Sequence, residues 1–63
     1  MSFIITDGTI ALFDVKADGT FEFGNHTSPR VKRWKTRAGA EAAFDRACAA
    51  TPAVSILEVV ETE

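Results

Sequence analysis

Two Asp-Gly pairs, Asp7-Gly8 and Asp18-Gly19, stand in the first third of the chain and set its first half as a β-meander. Glycine reaches positive φ without a Cβ clash, and aspartate tolerates the turn geometry, so each pair marks a tight reversal. The runs beside them, Phe3 to Ile5, Ile10 to Val15 and Phe21 to Phe23, are rich in aromatic and branched residues, which suit a pleated surface. Two successive hairpins follow.

The register of the second hairpin can be argued from its loop. A three-residue loop Ala17-Asp18-Gly19, with Gly19 in a G1 bulge, sets Lys16 opposite Thr20, Val15 opposite Phe21 and Phe13 opposite Phe23. A two-residue loop would seat Phe21 and Phe23 beside Lys16 and Asp14, on a charged face. The same logic at Thr6-Asp7-Gly8 gathers Phe3, Ile5, Ala11, Phe13, Val15, Phe21 and Phe23 on one expected core face. Ile4, Ile10 and Leu12 then fall on the reverse face with Asp14, Lys16 and Glu22, more apolar than a solvated sheet surface requires. On this reading Phe13→Ala or Phe23→Ala costs roughly 3–5 kcal/mol.

Gly24 to Pro29 is dense in turn formers and reads as a loop, after which Arg30 to Lys35 can extend as a fourth short strand. Thr36 is placed to cap a helix running to about Ala50, with Ala40, Ala43, Phe44, Ala47 and Cys48 on one face at 3.6-residue spacing. Thr51-Pro52 ends it, because proline cannot continue a helix. Val54 to Val60 is the expected last strand, with Leu57 and Val59 as its core pair and Glu58 on the face of Val54, Ile56 and Val60. The expected fold is α+β, one domain over residues 1–63: an antiparallel sheet of three to five strands with one helix packed on one face, in the order β-β-β-(β)-α-β.

At 63 residues and 46% hydrophobic content the core is thin, which favours an interface over a deep pocket. A net charge of −2 argues against a protein that coats nucleic acid, since those are usually basic overall. The single cysteine, Cys48, excludes an intramolecular disulfide, so the chain reads as made for a reducing cytosol or as indifferent to compartment. The N-terminal stretch has neither a basic n-region nor an apolar run long enough for a signal peptide or membrane span, so a soluble protein is expected. Asn25-His26-Thr27 matches a glycosylation sequon but, without an export route, reads as a polar loop.

Catalytic chemistry finds little to work with. One histidine and one cysteine do not make a zinc site. His26 reads as a solvated loop residue, and Cys48 as a buried apolar thiol with nothing to activate it. No phosphate loop, serine elbow or paired-carboxylate pattern is present, so neither enzyme activity nor a cofactor is expected.

Charge position is more informative than net charge. Five of the seven basic residues, Arg30, Lys32, Arg33, Lys35 and Arg37, crowd around the only tryptophan, Trp34, with no acid among them. The start of a helix disfavours cations by roughly 0.3–1 kcal/mol each, so helix stability does not explain the cluster. Lysines also blunt an exposed strand edge, but one or two suffice. The expected binding surface is therefore Arg30, Lys32, Arg33, Lys35 and Arg37, with Ile4, Ile10 and Leu12 supplying apolar area. Trp34 reads first as a core residue; exposed, it would instead stack on a base.

The passage Lys32-Arg33-Trp34-Lys35-Thr36-Arg37-Ala38-Gly39-Ala40-Glu41-Ala42-Ala43, a basic-aromatic strand end entering an Ala-rich helix after an Asp-Gly hairpin, resembles a pattern common among very small phage and prophage proteins. Some of these are host-defence inhibitors, including anti-CRISPR proteins. The resemblance covers most of the chain as architecture, although the chain lacks the heavily acidic character of the DNA-mimicking inhibitors. It implies a binding protein in the cytoplasm of a bacterial host that sterically blocks an acidic surface of a larger host protein or complex. Two alternatives stand beside it: a nucleic-acid-binding module using residues 30–37, and a homodimeric structural protein using the outer sheet face.

Overall fold

The computed structural model describes residues 1–62. Four strands, β1 (Ser2–Thr6), β2 (Ile10–Val15), β3 (Phe21–Asn25) and β4 (Glu58–Thr62), form an antiparallel sheet in the order β3-β2-β1-β4. The helix α1 (Arg37–Ala50) and a 3-10 turn, Pro52–Ile56, cover one face of this sheet. The expected α+β architecture is the one observed. Among the described residues no helix is long and apolar enough to cross a membrane.

Both Asp-Gly pairs make turns, with φ of 94° at Gly8 and 93° at Gly19. Asp7 Oδ1 accepts from the backbone N–H groups of Thr9 (2.8 Å) and Ile10 (2.9 Å), and Asp18 Oδ1 accepts from Thr20 (2.9 Å). At Gly19 a side chain would also meet the end of α1, with a Cβ only 2.8 Å from both Ala50 Cβ and the Arg46 carbonyl oxygen. The hairpin tip and the helix end therefore touch through a glycine.

Register departs from expectation in two places. The first hairpin pairs Thr6 with Ala11 and closes with Asp7 N–H donating to the Ile10 carbonyl at 3.2 Å, so its loop is Gly8-Thr9 and not the expected Thr6-Asp7-Gly8. The second starts as expected, with Lys16 N–H donating to the Thr20 carbonyl at 2.7 Å and Val15 opposite Phe21. A bulge between Leu12 and Asp14 then leaves Phe13 unpaired and sets Leu12, not Phe13, opposite Phe23. Side chains alternate along a strand, so one inserted residue reverses the face of everything before it.

That reversal corrects the expected core. Leu12 is fully buried and Ile10 packs against the core beneath the helical layer, so neither belongs to an open reverse face. Phe13 sits on the reverse face, with its ring over Gly24, and Phe23 is 56% exposed. The core is Ile5, Leu12, Val15, Ala43, Ala47, Val54 and Leu57, flanked by Phe21, Trp34, Phe44, Cys48 and Val59 among others. Fully burying Ile5 and Leu12 stabilises the fold by roughly 1.5–3 kcal/mol each.

The helix follows its sequence pattern closely. Thr36 is its N-cap and accepts from Gly39 N–H at 3.1 Å. Ala40, Ala43 and Ala47 are fully buried, and their small side chains let the helix lie close on the sheet. Thr51 N–H donates to the Ala47 carbonyl at 2.8 Å, and Pro52 then begins the 3-10 turn. This turn replaces the expected start of the last strand: Val54 enters the core from it, and β4 begins only at Glu58. Leu57 is in the core as expected, and Val59, partly buried, packs against it.

Candidate binding surfaces

The basic segment is anchored by its backbone. Lys32 N–H donates to the Leu12 carbonyl of β2 at 3.1 Å, and Trp34 exchanges both backbone bonds with Phe3 of β1, each at 2.9 Å. The segment thus reaches from β2 to β1 and fills the gap where these strands part, which explains why they pair directly only at Thr6 and Ala11. It forms a single bridge at Trp34 and is interior to the sheet, so the expected fourth strand and its edge-blunting lysines are both corrected. Trp34 is half-buried against the core.

The cations spread from this anchor to both sides of the sheet. Arg30 lies 5.1 Å from the Phe13 ring centroid and 3.7 Å from Glu22 Oε1, an exposed pair worth little on its own. Arg33 Nη1 donates to Thr62 Oγ1 (2.8 Å) and Ser2 Oγ (3.3 Å), joining the basic segment to β1 and β4. Arg37 stands 5.1 Å over the ring of Phe3. Lys32 and Lys35 are exposed and have no side-chain hydrogen bond or ion pair among the described residues.

Of the expected aliphatic contacts, only Ile4 keeps its place, half-buried on the reverse face beside β4, where it pairs with Val60. The apolar surface lies instead on the helix side. A groove of about 270 Å3 runs between β2, β3 and the 3-10 turn, lined by Ile10, Leu12, Phe21, Phe23, Val54 and Ile56 among others. Phe23 and Ile56, the latter 71% exposed, are its open rim. Neither is among the expected contact residues. Gly24 carries the missing signal, because a glycine inside a strand pattern marks a bulge or a close approach.

The remaining polar groups have local duties. His26 Nδ1 lies 3.0 Å from the Thr9 carbonyl, on the surface. Cys48 is half-buried; burial pushes its thiol pKa up, and the Asp45 carboxylate adds to that, so the nucleophilic thiolate is disfavoured. Hydrogen bonds from Ile10 and Thr9 hold the Asp7 carboxyl below the usual carboxylate range, and those from Thr20 do the same for Asp18. Among the described residues no group of three or more His, Cys, Asp or Glu is placed to hold a metal ion. No protein-family model, curated protein or solved structure matches the chain.

Proposed function

We propose that this chain is a non-enzymatic binding protein that presents residues 32–37 to an acidic surface of a larger partner and acts by occupying that surface. The observation that carries the reading is a rigid mount with unspent charge. Lys32 and Trp34 are fixed by backbone bonds to two strands, while Lys32 and Lys35 project without a partner among the described residues. Preorganised cations lose little entropy on binding and steer an oppositely charged surface toward contact. The resemblance to small phage proteins makes an inhibitor of the anti-CRISPR kind, acting in the cytoplasm of a bacterial host, the specific form of this proposal.

Protein is favoured over nucleic acid as the partner. Trp34 packs against the core, which withdraws the aromatic platform that stacking on a base would need. The test is affinity capture from a bacterial lysate with the natural chain and with a Lys32→Glu/Lys35→Glu variant of unchanged circular dichroism. A protein held by the natural chain and released by the variant supports the proposal. Equal recovery by both chains, or recovery of nucleic acid alone, overturns it.

A further inference from the structure

The two edges of the sheet differ. β4 carries Glu58 and Glu61, both exposed, the kind of charge that discourages strand addition. β3, Phe21-Glu22-Phe23-Gly24-Asn25, carries one exposed glutamate, Glu22, and no lysine, arginine or proline. Its neighbours Thr20 and His26 bond toward β2, through the Thr20 carbonyl and the His26 N–H. Backbone groups alternate in direction along a strand, so Phe21 and Phe23 turn their N–H and C=O groups outward, where no strand pairs with them, whereas the Asn25 carbonyl accepts from Ser28 N–H at 3.0 Å. The same edge borders the apolar groove and its exposed rim residues Phe23 and Ile56.

We infer that this edge pairs with β3 of a second copy of the chain, antiparallel and centred on Phe23. A two-fold contact must be self-complementary, and this one is. Phe23 meets its own copy across the axis on the groove side, where both rings leave water. On the reverse face each Glu22 lies opposite Gly24 of the other copy. That glycine is roofed by Phe13, and Arg30 stacks on the Phe13 ring and reaches toward its own Glu22. Each carboxylate therefore approaches a guanidinium of the other copy, and two such pairs cross the axis. A centred register also keeps the two Glu22 side chains off directly opposed positions, where like charges would repel. Lys32 and Lys35 belong to the segment on the other side of β2 and stay clear of this contact.

Sedimentation equilibrium tests the pairing. The natural chain is expected to approach twice its 6.8 kDa mass as concentration rises toward about 1 mM, and Phe23→Glu to raise the dissociation constant by about 100-fold or more. The charge pairs are tested by mixing. Glu22→Arg alone and Arg30→Glu alone set like charges across the axis and should sediment as monomers. An equimolar mixture of the two variants restores opposite charges at both crossings, because every arginine then faces a glutamate of the other chain, and it should recover the dimer mass. Damage to the fold within one chain could not be repaired by mixing. A natural chain that stays monomeric at about 1 mM, a dimer indifferent to Phe23→Glu, or a mixture that fails to recover association overturns the inference.

Discussion

Phe3 and Trp34, 31 positions apart in sequence, exchange two backbone hydrogen bonds of 2.9 Å each, and this bridge decides where the cations stand. Without it residues 30–35 would be a loop. With it they complete the sheet between β1 and β2 and deliver the chain to the Thr36 cap in a fixed direction.

Removal of the cap hydroxyl tests the last link. Thr36→Ala leaves Gly39 N–H without its acceptor and should cost about 1 kcal/mol by urea denaturation. Thr36→Ser keeps the acceptor and should lie close to the natural chain.

The bulge at Phe13 makes a contrast that a regular hairpin would not. Leu12→Ala should cost roughly 2–5 kcal/mol, since it opens a cavity in a fully buried site. Phe23→Ala, at an open rim, should cost under about 1 kcal/mol when measured on the monomer. Regular pairing of Phe13 with Phe23 would give the reverse order.

A double-mutant cycle addresses the reverse face. A methyl group at Gly24 would meet Phe13 Cε2 at 2.8 Å, so Gly24→Ala should destabilise by about 1–3 kcal/mol. In a Phe13→Ala background the clash is gone, and the same substitution should cost much less.

Much of this fold is legible in the sequence, and the misreadings share one cause. The helix, its cap and its buried alanines follow from spacing and side-chain size, which are local. The turns at Gly8 and Gly19 follow from backbone chemistry that only glycine supplies freely. Phe13 is different: whether it pairs or bulges depends on Gly24 making room for its ring, a contact between two strands that no single-strand pattern contains. The positions of Ile10, Leu12 and Phe23 all turn on that contact, and with them the groove. The basic segment is visible as charge, but its interior position rests on long-range bonds to Leu12 and Phe3.

Acid should weaken the first hairpin. The folded-state pKa of Asp7 is depressed by the amides of Ile10 and Thr9, so its contribution is present above the unfolded carboxylate value and is lost as pH falls through the folded one. Thermal melts from pH 6 down to about pH 2 should therefore show a steeper decline for the natural chain than for Asp7→Asn, which keeps the acceptor oxygen but cannot titrate.

Amide hydrogen exchange across residues 32–35 tests the anchored segment most directly. Lys32 and Trp34 donate to strand carbonyls, whereas Arg33 and Lys35 have no backbone acceptor among the described residues. Slow exchange at Lys32 and Trp34, comparable to Ile5, alternating with fast exchange at Arg33 and Lys35, is the expected result. Fast exchange at all four amides would mean that the cations ride on an open loop, and would contradict the rigid mount on which the proposed binding rests.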